Sequence, residues 1–209
     1  MRLNVNVLGE AILSDAEAAD RLARVRSMLA RDDVDYVSVK ASAICANLDP
    51  LAFDDGVRRV QEPLRALYRD AMASLPPKFV NLDMEEYRDL ALTIAAFTGV
   101  LDEAEFAALD AGIVLQAYLP EAHAALDHLG AWAATRRARG GGTTKIRIVK
   151  GANLAMELVD AETHGWRAAP YATKADVDAS YKALLERALD PAWSDAVRIG
   201  VASHNLFDV

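Results

Sequence analysis

Six short apolar runs recur along this 209-residue chain, each closing on a polar residue or a glycine and each followed by a helix-forming stretch. They read RLNVNVLGE (2–10), DYVSVKAS (35–42), KFVNLDME (78–85), GIVLQAYLP (112–120), KIRIVKGAN (145–153) and VRIGVASHN (197–205). Their starts lie about 30 to 50 residues apart, the pitch of repeated strand–helix units that build a parallel sheet. The expected fold class is α/β, a (β/α)8-type barrel. Eight such units need about 250 residues, so the expectation is one incomplete barrel domain over residues 1–209, truncated after about six units.

Composition narrows the function. With 53% hydrophobic residues the chain has enough apolar material for one sizeable core. A net charge of −8, with basic residues dispersed apart from RRARGGGTTK (136–145), argues against nucleic acid as a partner. No run of 18 apolar residues would span a bilayer, and no signal-like segment opens the chain. The single cysteine, Cys45, allows no intrachain disulfide, and its apolar setting ASAICANL reads as a packed thiol. No Cys/His cluster has metal-ligand spacing, so no metal is expected and the location expected is the cytoplasm.

The helices carry recognisable punctuation. Ser14 and Glu17 form a capping-box pattern ahead of a helix over 14–33. A second helical region covers 49–74 and stops at Pro76–Pro77. A third is expected over 84–99, with Glu85 and Glu86 answering the helix dipole and Gly99 as the stop. A small helix over 101–110, then helices over 120–139, 151–165 and 173–190, complete the pattern.

Polar residues gather at the carboxyl ends of the runs, where a barrel places its active site. Lys40 could bind an anionic group or form a Schiff base, or could simply snorkel out at a strand end. Asp83 suits a helix cap as well as a site. Gln116, set in an apolar strand, must find a partner, either on a neighbouring strand or on a heterocycle. Arg147-Ile148-Val149-Lys150-Gly151-Ala152-Asn153 is the densest signal: two cations flank a strand end, and a glycine then opens the backbone at a helix start. A salt bridge to a neighbouring acid is the plainer reading of Arg147. Thr173 and Lys174 suit either a helix cap or a phosphate. His204-Asn205 ends the sixth run on the same rim. The glycines 140–142 precede a strand and read as a turn, and no G-x-G-x-x-G or P-loop is present.

In order, the blocks VNVLGEAILSDAEA, VSVKASAI, FVNLDMEEYRDLALT, GIVLQAYLPEA, IRIVKGANLAMELVDAETHGW, YATKADVDASY and VASHNLFDV closely resemble proline dehydrogenase, alone or as half of bifunctional proline-utilisation proteins. The resemblance implies a distorted barrel holding FAD at the carboxyl ends of its strands. It places Arg147 at the flavin N5 edge and Gln116 on the pyrimidine side, with Val114, Val149, Lys150, Gly151 and Ala152 lining the cofactor. Thr173, Lys174, His204 and Asn205 would hold the diphosphate and adenosine portions. Lys40 would meet the carboxylate of L-proline, Asp83 would lie beside substrate and flavin, and Ile148 beneath the reacting ring. The implied reaction passes a hydride from proline C5 to flavin N5, gives 1-pyrroline-5-carboxylate and sends electrons to a quinone. Peripheral contact with the inner membrane face and a linked aldehyde dehydrogenase domain come with the family.

Two departures bear on activity. Many family members carry aromatic residues where this chain has Asn153-Leu154. The family also brings a Tyr and an Arg pair to the substrate from its last units, a motif that neither Arg58-Arg59 nor Arg136-Arg137 matches. The isolated chain is therefore expected to be impaired. The competing readings are a Schiff-base aldolase acting through Lys40 or Lys150, and a non-catalytic fragment that pairs with another polypeptide.

Overall fold

The computed structural model describes residues 3–6 and 12–205. Six strands form one sheet: β1 (Val5–Asn6), β2 (Tyr36–Lys40), β3 (Phe79–Asp83), β4 (Ala111–Gln116), β5 (Thr144–Val149) and β6 (Val197–Ala202). They lie side by side in chain order and every pairing is parallel. Between them run α1 (Asp15–Leu29), α2 (Ala41–Ile44), α3 (Phe53–Met72), α4 (Leu90–Leu101), α5 (Ala122–Ala138), α6 (Leu154–His164) and α7 (Lys174–Ala188). This is the expected α/β alternation. Among the described residues β1 and β6 do not pair with each other, so the sheet is not closed.

Strand alternation divides the sheet into two unlike faces. Val37, Val39, Val80, Leu82, Ile113, Leu115, Ile146 and Ile148 share one apolar cluster with Val25 and Leu29 of α1, Leu64 and Leu67 of α3, Phe97 of α4, Leu126 of α5 and Leu184 of α7. Burial of this face against the helices supplies the main driving force, at about 25 cal/mol per Å² of apolar surface removed from water. The residues between them in register, Ser38, Asn81, Asp83, Gln116, Lys145 and Arg147, share the opposite face. That face carries the polar groups.

Local signals are borne out where they depend on neighbouring residues. Ser14 caps α1, its side chain accepting from Glu17 N at 3.2 Å. The Glu17 carboxylate accepts from Leu13 N at 3.4 Å rather than from the cap residue's own amide, so the box is half formed. Gly140 turns the chain into β5 with φ +83°, and Cys45 is buried as a structural thiol.

Both boundaries of the helix expected over 84–99 differ from expectation. Gly99 does not stop α4, which continues to Leu101; a Cβ there would come within 2.5 Å of the Gln61 amide, the far end of a flexible side chain on α3. The helix expected from residue 84 begins only at Leu90, after a 3-10 turn at Tyr87–Asp89. Glu85 and Glu86 therefore do not answer its dipole. Glu85 pairs with Lys40 and Glu86 with Arg88. The expected small helix over 101–110 shrinks to the 3-10 turn Ala104–Phe106.

Candidate active site

The site grows from β3 and β5. Two residues apart on β3, Asn81 and Asp83 face the same side, and Asn81 Nδ2 donates to Asp83 Oδ1 at 2.6 Å. Arg147 NH2, from β5, donates to that same oxygen at 2.6 Å. Asn6 Nδ2 reaches Asp83 Oδ2 at 3.2 Å, and the Ser38 hydroxyl also donates to the carboxylate. Asp83 is thus the hub of a polar network contributed by β1, β2, β3 and β5, and not a helix cap. The acid partner foreseen for Arg147 exists, two strands away instead of on an adjacent strand.

The electrostatics of the hub are opposed. Burial pushes the Asp83 carboxyl above the ordinary aspartate range, and its burial outweighs Arg147, Asn81, Ser38 and Lys40, all of which favour the ionised form. The Arg147–Asp83 contact is short, yet desolvation dominates because only 11% of the Asp83 side chain meets solvent. Two atoms of the network are buried with no hydrogen-bond partner: Arg147 Nε and Asn81 Oδ1. An unmade buried bond costs about 1–3 kcal/mol, so each is an opening for a ligand or water atom.

Lys40 closes β2 and donates to Glu85 Oε1 at 2.6 Å. Gln116 ends β4 almost fully buried. Its Nε2 donates to Glu85 O at 2.7 Å and its Oε1 accepts from Ala152 N at 2.8 Å. The amide therefore bridges the loop after β3 to the loop after β5, the structural partnership that the sequence left open. Gly151 in that second loop has φ +149°, and a Cβ there would lie 2.6 Å from the Tyr118 ring. The close approach that needs glycine is made by Tyr118.

Lys150 and Lys174 converge on Asp178 of α7. Lys150 Nζ is 2.6 Å from Oδ1, and Lys174 binds the other oxygen. The two lysines hold the Asp178 carboxyl down at about 2. Thr173 caps α7, its hydroxyl accepting from Asp176 N at 3.1 Å. His204 and Asn205 lie exposed just past β6, where Asn205 N donates to Ser203 Oγ at 3.0 Å.

Most expected site residues therefore share the carboxyl ends of the strands. Val114 and Val149 face the same side as Arg147, with Val114 directly paired to it in register. Ile148 does not. It is fully buried among the helices, because alternation turns it away from Arg147, and its side chain cannot lie beneath a ring bound on the polar face. The sequence reading missed Asn81, Ser38 and Tyr118. Period two along FVNLD was a sufficient signal for Asn81, whereas nothing local announces Tyr118.

A flavin fits part of this arrangement. Arg147 Nε is a buried donor without a partner, suited to an acceptor atom on the edge of a heterocycle. Gln116 suits it less directly, since both ends of its amide are engaged by backbone.

Comparison with known proteins agrees with this geometry. The whole chain, residues 1–209, matches the proline dehydrogenase family. Comparison with curated protein sequences gives no significant match. Among solved structures, proline utilization A from Corynebacterium freiburgense is 53% identical with a TM-score of 0.96, over 99% of this chain and 21% of that one. Proline utilization A from Bdellovibrio bacteriovorus, inactivated by N-propargylglycine, is 32% identical with a TM-score of 0.88, over 100% of this chain and 23% of that one. A mutant of the Bradyrhizobium japonicum protein, at 24% identity and TM-score 0.86, shares the fold. The chain spans less than a quarter of the length of these structures. With its six parallel strands and the Asp83–Arg147 pair at their carboxyl ends, the chain belongs to the proline dehydrogenase family.

Proposed function

We propose that this chain supplies the carboxyl-end rim of a flavin-dependent proline dehydrogenase, which oxidises L-proline to 1-pyrroline-5-carboxylate with FAD as the cofactor. The observation that carries the reading is Arg147, held by Asp83 while its Nε is buried with no hydrogen-bond partner. Oxidation breaks the proline C5–H bond, removes the ring N–H proton and forms a C=N bond, so two electrons must go to an acceptor. Bound FAD would supply that two-electron chemistry, which no amino-acid side chain offers. The chain's residues orient and stabilise. Lys40 is the cation for the substrate carboxylate, in exchange with Glu85, and Asp83 fixes the Arg147 guanidinium. Lys150, Thr173 and Lys174 offer cations and a helix start to a diphosphate, in exchange with Asp178.

The same proposal includes a quinone as electron acceptor, peripheral contact with the inner membrane face, a cytoplasmic location and a linked aldehyde dehydrogenase domain. One solved relative is described as bifunctional, which supports the last. Among the described residues no helix is long and apolar enough to cross a membrane. The aldolase reading has less support, because Lys40 and Lys150 each lie against a carboxylate.

The test is FAD titration of the purified chain followed by anaerobic addition of L-proline. Quenched flavin fluorescence, then slow bleaching of the flavin bands with 1-pyrroline-5-carboxylate detected by mass spectrometry, is the expected result, the slowness reflecting the missing Tyr and Arg pair. A chain that leaves FAD in its free state overturns the reading for this polypeptide. Flavin that binds but is not bleached overturns proline as the substrate.

A further inference from the structure

Asn81 occupies an unexpected position for an amide. It is completely buried in the middle of β3, where a parallel sheet ordinarily carries aliphatic residues. One half of the amide is committed, because Nδ2 donates to Asp83 Oδ1 at 2.6 Å. The other half, Oδ1, has no hydrogen-bond partner. A residue kept for stability alone would not leave a buried acceptor bare.

The neighbouring strand is shaped around it. Gly112 is the β4 residue in register with Asn81. A Cβ on Gly112 would come within 2.4 Å of Asn81 Oδ1 and 2.9 Å of the Phe79 ring. The absent side chain makes the room in which the amide lies. On its other side, the oxygen that Asn81 binds is the one that accepts from Arg147. A single carboxylate oxygen thus receives two donors, one from its own strand and one from β5.

We propose that Asn81 is a positioning residue: its amide fixes the Asp83 carboxylate against Arg147, and through it orients the guanidinium at the mouth of the sheet. The role rests on the proline dehydrogenase reading for its catalytic meaning, but its physical content belongs to the network alone. The charged and titratable groups facing Asp83 are Arg147 from β5 and Lys40 and Tyr36 from β2. Arg147 and Lys40 remain in the variants below, so a change in Asp83 reports on the amide. Burial already pushes the Asp83 carboxyl upward, and Asn81 is one of the donors that oppose it.

The experiment is a carbon-13 NMR titration of the Asp83 carboxyl in the full chain, without added flavin, for wild type, Asn81→Ala and Asn81→Ser. Removing a donor to the ionised form should raise the midpoint by about one pH unit in Asn81→Ala. Asn81→Ser, which keeps a hydroxyl donor, should recover part of that shift. If Asn81→Ala does not fold, Gly112→Ala replaces it, since the new Cβ displaces the amide and should raise the midpoint in the same direction. An Asp83 midpoint unchanged in the variant that folds overturns the proposal. Failure of the wild type to oxidise proline would sink the functional reading and leave the titration result standing.

Discussion

Arg147 on β5 and Asp83 on β3 meet at 2.6 Å across β4, a strand to which neither belongs. The face of β4 that they cross carries Gly112 and Val114, one without a side chain and the other short. A long residue at either place would separate the pair. The strand between them therefore contributes by what it lacks.

Removing the cation from this pair should cost stability in a pH-dependent way. Breaking one side of a buried ion pair costs about 3–5 kcal/mol when the other side stays charged. Asp83 can escape by protonation, so Arg147→Leu should cost about 2–4 kcal/mol at pH 8 and less at pH 5. The sign follows from the folded carboxyl, already above its unfolded value by burial, rising further once Arg147 no longer holds it down: the stability it carries at low pH is lost as pH rises, and the variant loses more of it than the wild type. Urea unfolding at the two pH values measures the difference. An equal loss at both would show that Asp83 is not the group involved.

Asp89, buried ahead of α4 among Glu85, Glu86 and Glu157, has its carboxyl pushed up to about 6, first by burial and next by Glu86. Its raised midpoint means that wild-type stability should fall as pH rises from about 4 through about 6. Asp89→Asn should flatten that slope and add about 1–3 kcal/mol at pH 8. Thermal melts from pH 4 to 8 compare the two slopes; parallel curves would count against this account.

Gln116 predicts a coupled loss of order. Gln116→Ala removes the bonds to Glu85 O and Ala152 N together, a cost of about 1–3 kcal/mol. Hydrogen exchange should accelerate at the Ala152 amide. Protection there equal to wild type would mean that another acceptor serves that amide.

Two glycines should respond oppositely to alanine. Gly151→Ala places a Cβ against the Tyr118 ring at a backbone angle that favours glycine, and should cost about 2 kcal/mol or more. Gly99→Ala meets only the far end of the flexible Gln61 side chain inside α4, and should cost little or gain up to about 1 kcal/mol of helix propensity. Melting temperatures of the two variants make the comparison. A Gly99→Ala protein as damaged as Gly151→Ala would contradict it.

The strand order and most of the rim could be read from the sequence because they depend on periodicity and on local punctuation. KIRIVKGAN shows its alternation and its glycine directly. The roles of Asp83 and Gln116 could not be read in the same way, since both depend on partners from distant strands and loops. Asp83 looked like a cap because a helix was expected at once, whereas the chain first makes a 3-10 turn. Ile148 was misplaced for a different reason: a neighbour in sequence along a strand is on the opposite face. Gly99 misled because a glycine can sit inside a helix as well as end one, and α4 runs through it to Leu101.

The alternation in β5 has a consequence for how this protein tolerates change. Ile146 and Ile148 anchor the strand to the helices with Thr144 buried on the same side, while Lys145, Arg147 and Val149 are turned to the other side. Substitutions confined to the second set alter chemistry and leave the anchor intact. A single-residue insertion ahead of Lys145 would swap the two sets, driving two cations into the hydrocarbon interior and the isoleucines into the polar network. Point substitution can tune this strand, but a frame slip of one residue would destroy anchor and chemistry together.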